Sequence, residues 1–122
     1  MAPVTNWRFY DTIYTERYLS TPQNNPEGYD AGSPVTYTEN LRDDQRLMLV
    51  HGTGDDNVHV QNTIVMADAL IAANKQFELM LYPGRNHGIY GGNTRLHLYT
   101  MLTDFFREHL AEPEVAAVSG TN

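Results

Sequence analysis

The chain has 122 residues and a mass of 13.8 kDa, enough for one modest domain and too few for two. Eight Lys and Arg residues stand against fifteen Asp and Glu residues, and the net charge of −7 argues against a nucleic-acid or anionic-membrane partner. The absence of Cys excludes disulfides, thiolate catalysis and Cys-ligated zinc.

The chain carries no sequence signal for a membrane or for secretion. No apolar run approaches the roughly 18–20 residues that a bilayer span needs. Met1–Tyr10 lacks a basic start followed by an apolar core, so we expect no secretory signal in this chain.

The first half of the chain combines aromatic residues with turn formers. We predict one or two helical turns over Asn6–Leu19, where Trp7, Tyr10 and Tyr14 recur at spacings of three and four and would share one helix face. Prolines and glycines punctuate Ser20–Asn40, so we predict mostly loop there, with short helical turns.

The second half alternates strands and helices. Arg46–His51 and Phe77–Tyr82 are short apolar runs that end at glycine or Pro-Gly, as buried strands do. Asn62–Asn74 and Thr94–Leu110 carry helical periodicity, and Ala111–Asn122 has the small and polar residues of a disordered tail. The predicted apolar stripes are Met66, Ala69, Leu70 and Ala73 on the first helix, and Leu98, Leu102, Phe105, Phe106 and His109 on the second.

This element order predicts an α/β fold with an incomplete sheet. A strand–helix–strand unit of this length forms a parallel pair with a right-handed crossover. Two strands with buried faces do not make a stable sheet alone, so we expect residues 1–110 to be one part of a larger α/β domain.

Two polar, glycine-rich loops follow the two predicted strands. They span His51–His59 and Gly84–Gly88. Sites in parallel sheets form at the carboxyl ends of strands, so Asp55 and His87 are expected to lie close together. A buried carboxylate beside an imidazole supports a general-base His. Taken singly, an Asp after a strand is more often a helix cap or turn former, and a loop His is usually only solvated.

Three other kinds of site compete for these loops. His51, Asp55 and His59 could bind a metal, but their spacing matches no standard zinc motif. The run 52–54 (Gly-Thr-Gly) is typical of a phosphate loop, but it is followed by two Asp residues that would repel phosphate. Arg85 could hold an anion, although a solvated surface Arg is the simpler interpretation.

Four segments of the chain resemble a known enzyme family. They are Ala2-Pro3-Val4, residues 7–18 (WRFYDTIYTERY), residues 51–59 (HGTGDDNVH) and residues 86–100 (NHGIYGGNTRLHLYT). In order and wording they resemble the carboxyl-terminal end of the catalytic domain of the dipeptidyl peptidase IV family, in the prolyl oligopeptidase group of α/β-hydrolases. The resemblance covers residues 2–110, and the last segment looks more like bacterial members than animal ones.

The resemblance implies a role for individual residues. Asp55 matches the acid of a Ser–Asp–His triad, His87 matches its base, and Asn57 matches the residue whose amide holds a carbonyl of the bound peptide. The residues that match the family's proline pocket are Val4, Trp7, Tyr10, Tyr14 and Val58. Flat aromatic walls can bury the compact, apolar proline ring without a hydrogen bond to its missing N–H. Plain core packing is the alternative explanation of these aromatic residues.

One part of the family pattern is missing. The triad Ser lies in Gly-x-Ser-x-Gly, and the Ser residues of this chain, Ser20, Ser33 and Ser119, have no such setting. The resemblance therefore implies part of a serine exopeptidase that releases X-Pro or X-Ala dipeptides from peptide N-termini, with its nucleophile upstream of Met1. The 122-residue chain alone is expected to be inactive.

The resemblance also carries expectations about partners and place. It implies a peptide substrate with a penultimate proline, no cofactor or metal, a homodimeric parent protein, and a periplasmic or cell-surface location in a bacterium. The competing hypothesis is a catalytically silent interaction or dimerisation module, for which a face of Thr94–Leu110 would be the interface.

Overall fold

Capping side chains start the helices of the first half. The computed structural model describes residues 1–110; the predicted disordered tail, Ala111–Asn122, lies outside them. A 3-10 turn at Trp7–Phe9 is followed by helix α1, Thr12–Leu19. The Asp11 carboxylate accepts the Tyr14 N–H at 2.8 Å and so begins α1. The two predicted helical turns are confirmed.

The prediction of mostly loop over Ser20–Asn40 is wrong. Helix α2 spans Pro26–Gly32, and a 3-10 segment spans Pro34–Asn40. In each the proline stands at the start of the helix, where its fixed φ and missing N–H cost nothing. Asn25 completes the start of α2 by accepting the Gly28 N–H at 3.1 Å.

The predicted parallel pair of strands is confirmed. Strand β1 spans Met48–Gly52 and strand β2 spans Glu78–Tyr82, and they pair in parallel from Met48↔Glu78 to Gly52↔Tyr82. Helix α3, Gln61–Ala72, makes the crossover. On the other side of β1, the Ala2 N–H donates to the Val50 carbonyl at 2.7 Å, so the start of the chain runs beside this strand.

Helix α4, Thr94–Leu110, covers one face of the sheet. Val50, Tyr82, Ile89 and Leu98 form the buried cluster, with Met48, Met80, Met101 and Leu102 packed against it. Of the predicted α4 stripe, Leu98 is buried, Leu102, Phe105 and His109 are partly buried, and Phe106 is exposed. No helix of the described residues is long and apolar enough to cross a membrane.

The predicted stripe on α3 is only partly correct. Leu70 is fully buried, whereas Met66, Ala69 and Ala73 are partly buried. The first turns of the helix bury polar side chains instead, at Asn62 and Thr63. Asn62 accepts the Thr5 N–H at 3.1 Å, and Thr63 bonds to His51 at 2.7 Å, so their burial is offset by hydrogen bonds that periodicity does not reveal.

Candidate active site

The loops that follow β1 and β2 are bonded to each other. The Thr53 N–H donates to the Tyr82 carbonyl at 3.0 Å, and the Gly54 N–H donates to the Arg85 carbonyl at 2.9 Å. A Cβ on Gly52 would overlap the Arg85 carbonyl, so this close approach requires glycine. These contacts fix the acid-bearing loop against the His-bearing loop.

Asp55 and His87 meet at this junction. Asp55 Oδ2 lies 2.8 Å from His87 Nδ1, across 32 positions of sequence. The Asp55 side chain is fully buried, and the His87 side chain is 49% exposed. The expected proximity of these two residues is therefore found, with the carboxylate inside the protein and the ring at its surface.

The second oxygen of Asp55 is held by the backbone. Oδ1 accepts the Asn57 N–H at 3.0 Å and the Val58 N–H at 2.9 Å. Burial acts to raise the pKa of the Asp55 carboxyl, but hydrogen bonds from His87, Val58 and Asn57 outweigh it, and the net pKa lies below the usual value. Asp55 is thus an ionised hydrogen-bond acceptor at neutral pH.

His51 is a further residue of the site, and the sequence interpretation offered it only as a possible metal ligand. Its ring is fully buried, with Nδ1 2.7 Å from Thr63 Oγ1 and Nε2 2.7 Å from the Val58 carbonyl. Nε2 also lies 3.2 Å from Asp55 Oδ2. No periodic signal could have assigned this role, because it depends on a helix that begins ten residues later.

The alternative of a metal site is not supported by this geometry. Both ring nitrogens of His51 face protein hydrogen-bond partners, and His59 is exposed. Within residues 1–110, no three His, Asp or Glu side chains are grouped as a metal would require.

The alternatives of a phosphate or anion site meet the same difficulty. The N–H groups of Thr53, Gly54 and Asp55 all donate to backbone carbonyls and cannot cradle a phosphate. The Arg85 guanidinium donates from Nε to Thr94 Oγ1 at 2.9 Å.

An aromatic cluster lies beside the acid-bearing loop. Ring centroids are 5.8 Å apart for Trp7 and Tyr10, 6.3 Å for Trp7 and Tyr14, and 5.7 Å for Tyr10 and Tyr14. Tyr18, which the sequence did not single out, continues the row at 5.1 Å from Tyr14. The hydroxyl of Tyr10 donates to Asn57 Oδ1 at 3.2 Å, which joins the cluster to the loop that carries Asp55.

The two valines of the expected pocket flank these elements. Val58 is buried, and its N–H bonds to Asp55 while its carbonyl bonds to His51. Val4 is partly buried and precedes Thr5, whose N–H donates to Asn62 in α3.

The described serines take part in other contacts. Ser33 is buried, donates from Oγ to the Tyr29 carbonyl at 2.6 Å and accepts the Trp7 N–H at 3.0 Å. Ser20 is exposed and ends α1. Within residues 1–110, neither serine is hydrogen-bonded to His87; Ser119 lies outside this range.

Comparison with known proteins places the chain in a family. Residues 1–113 match the model of the prolyl oligopeptidase family. The chain belongs to that family.

Relatives of this prolyl oligopeptidase family chain occur in fungi and bacteria. It is 51% identical over 106 residues to a Coccidioides posadasii protein named "Probable dipeptidyl-aminopeptidase B", and 48% identical to a Neosartorya fischeri protein of the same name. These matches cover 86% of this chain but only 12% and 11% of the relatives. The chain therefore spans about an eighth of the length of the curated relatives that it matches.

The structural neighbours show the same partial overlap. The crystal structure of Porphyromonas gingivalis dipeptidyl peptidase 4 is similar with a TM-score of 0.84 and 47% identity, over 88% of this chain and 15% of that one. A putative dipeptidyl aminopeptidase IV from Bacteroides ovatus has a TM-score of 0.82 and 32% identity, with the same coverage. The expected fold class, a portion of the α/β-hydrolase fold, is confirmed.

Proposed function

We propose that this chain is the carboxyl-terminal part of the catalytic domain of a serine exopeptidase, and that it supplies the acid and the base of the triad. The observation that carries the proposal is the 2.8 Å contact between the buried Asp55 carboxylate and Nδ1 of the half-exposed His87. Membership of the prolyl oligopeptidase family supports the same reaction class.

The geometry of His87 suits proton transfer to a serine supplied by the rest of the protein. Because Nδ1 faces Asp55, Nε2 is the nitrogen left to accept the proton of a serine hydroxyl as that oxygen attacks the peptide carbonyl. Nε2 then returns the proton to the leaving amine. The ionised Asp55 holds the ring tautomer and stabilises the imidazolium between these two steps.

The aromatic cluster is the proposed pocket for a penultimate proline. Trp7, Tyr10 and Tyr14 present ring faces and edges within 6.3 Å of one another, an apolar wall for a compact ring. Val4 and Val58 complete the wall in this proposal. Alanine would fit the same pocket with less buried area, so it is the second-choice substrate residue.

Asn57 is the proposed holder of the peptide carbonyl. Its Oδ1 accepts the Tyr10 hydroxyl at 3.2 Å, so the Nδ2 donor is directed away from that contact and is free to bind an acceptor on the substrate. The side chain is exposed at the surface of the acid-bearing loop.

A second candidate function is an interaction module that does not catalyse. Its supporting observation is the outer face of α4, where Leu96, Tyr99, Phe106 and Leu110 are between 52% and 73% exposed. Apolar side chains at this spacing share one helix face and suit a helix partner, including a second copy in a homodimer.

The two candidates are separated by peptidase activity. The chain joined to its upstream sequence should hydrolyse Gly-Pro-p-nitroanilide, and His87→Ala should abolish that hydrolysis. The exposed His59 is the matched control, and His59→Ala should retain activity. A longer protein that folds, dimerises and yet cleaves no Gly-Pro substrate would contradict the enzyme and favour the module. The isolated chain should be inactive, because acid and base without a nucleophile form no acyl-enzyme.

A further inference from the structure

His51 is a wholly buried titratable residue to which the proposed reaction assigns no role. It is the fourth residue of β1, and its relative exposure is 0%. Nδ1 lies 2.7 Å from Thr63 Oγ1, and Nε2 lies 2.7 Å from the Val58 carbonyl and 3.2 Å from Asp55 Oδ2. The ring therefore touches the opposite side of the carboxylate that His87 uses.

The partners determine which nitrogen carries the proton. The Val58 carbonyl and the ionised Asp55 carboxylate can only accept, so the proton lies on Nε2 of His51. The Thr63 hydroxyl can rotate and donates to Nδ1. A continuous chain of donors thus runs from Thr63 through His51 to Asp55, and His87 donates to the same oxygen from the other side.

The Asp55 carboxylate is consequently held by four donors. Oδ1 accepts two backbone N–H groups, from Asn57 and Val58. Oδ2 accepts the ring of His87 at 2.8 Å and shares the Nε2–H of His51 at 3.2 Å. A carboxylate offers about four lone-pair sites, so this set leaves it no alternative orientation.

We propose that His51 is a positioning residue that fixes the orientation of the Asp55 carboxylate and limits how strongly Oδ2 binds the His87 ring. The inference rests on the proposed function and deepens it. Loss of the Nε2–H would leave Oδ2 with one donor fewer. The remaining bond to His87 would then favour the imidazolium, and the base would stay protonated at higher pH.

A structural role alone would have different consequences. His51 also ties β1 to the Val58 carbonyl and to α3 through Thr63, so its loss must lower stability to some degree. Stability changes the fraction of folded protein, whereas positioning changes the turnover of each folded active site. The test therefore counts active sites before it compares rates.

The experiment uses the full-length enzyme that contains this chain. Active sites are titrated with a fluorophosphonate, and kcat and KM for Gly-Pro-p-nitroanilide are measured across pH. For His51→Met we expect kcat per titrated site to fall about tenfold, with KM changed by less than about twofold and the acid limb of the pH profile moved to higher pH. His51→Gln keeps a donor near the Nε2 position and should restore most of the rate.

A second pair of variants keeps the test decisive if His51→Met does not fold. Thr63→Val removes the donor to Nδ1 but leaves the imidazole in place, and it should shift the acid limb in the same direction by a smaller amount. Thr63→Ser retains the hydroxyl and should match the wild type. His59→Gln, at an exposed position of the same loop, is the control for effects of histidine loss.

The outcomes separate this inference from the proposed function. If the wild type is active and His87→Ala is not, but the His51 and Thr63 variants keep the wild-type kcat per site and acid limb, the positioning role is wrong and the proposed function stands. If His51→Gln and His51→Met are equally impaired with an unchanged acid limb, the role is structural only. An inactive wild-type enzyme overturns both.

Discussion

The Asp55 carboxylate is fully buried, and the His87 ring that it contacts at 2.8 Å is half exposed. This asymmetry suits the proposed roles, because the anion is shielded from water by its own loop while the base remains open to a nucleophile and a substrate. The buried charge is stabilised by hydrogen bonds from His87, Val58 and Asn57.

Asp55→Asn should abolish most activity of the full-length enzyme while preserving the fold. The amide has the shape of the carboxylate but no charge, so it neither fixes the His87 tautomer nor stabilises the imidazolium. We expect kcat to fall about 10³–10⁴-fold, with KM little changed. Asp56→Asn, at the adjacent exposed position, is the matched control and should keep wild-type kcat. Equal loss in both variants would contradict the role of Asp55.

Asp55 should also make stability depend on pH in the acid range. Its pKa is depressed in the folded protein, so the unfolded state binds more protons as the pH falls. The stabilisation is fully present above the unperturbed pKa of 3.8 and is lost as the pH drops through the lower folded value. Urea unfolding between about pH 5 and pH 2 should show a steeper loss of unfolding free energy for the wild type than for Asp55→Asn. Parallel curves for the two proteins would rule out this linkage.

Gly52→Ala should destabilise the protein more than Gly84→Ala. A Cβ at Gly52 would overlap the Arg85 carbonyl, and the strand ends would have to separate to admit it. We expect a loss of about 2 kcal/mol or more of unfolding free energy. Gly84 has φ +65° but open space around it, so alanine there costs only backbone strain of about 1 kcal/mol. Denaturant titration of both variants tests the order, and the reverse order would contradict this account of the loop junction.

Tyr10→Phe should weaken substrate binding without removing the aromatic wall. The ring packing against Trp7 and Tyr14 survives, but the hydroxyl bond to Asn57 Oδ1 is lost and the amide is free to turn. We expect kcat/KM for a Gly-Pro substrate to fall about 3- to 10-fold, mainly through KM. Tyr18→Phe, at a ring 66% exposed on the same helix face, serves as the control. An unchanged KM for Tyr10→Phe would remove the proposed link between the pocket and Asn57.

The secondary structure of the second half could be predicted because its pattern is local. The apolar runs that become β1 and β2 and the long period of α4 lie within a few residues of their predicted bounds. Ser20–Asn40 could not be predicted in the same way. Its prolines begin helices rather than interrupt them, and that outcome depends on the residue before each one, such as Asn25.

What the sequence by itself determined is the order of the elements and the edge of the sheet where the polar loops meet, since both follow from short-range periodicity and the parallel crossover. It also indicated the proximity of Asp55 and His87. Only the tertiary structure decided that His51 belongs to the same hydrogen-bond network, because its partners come from β1, the acid-bearing loop and α3. A buried polar side chain takes its role from groups that are distant in sequence, and no local pattern records which groups those are.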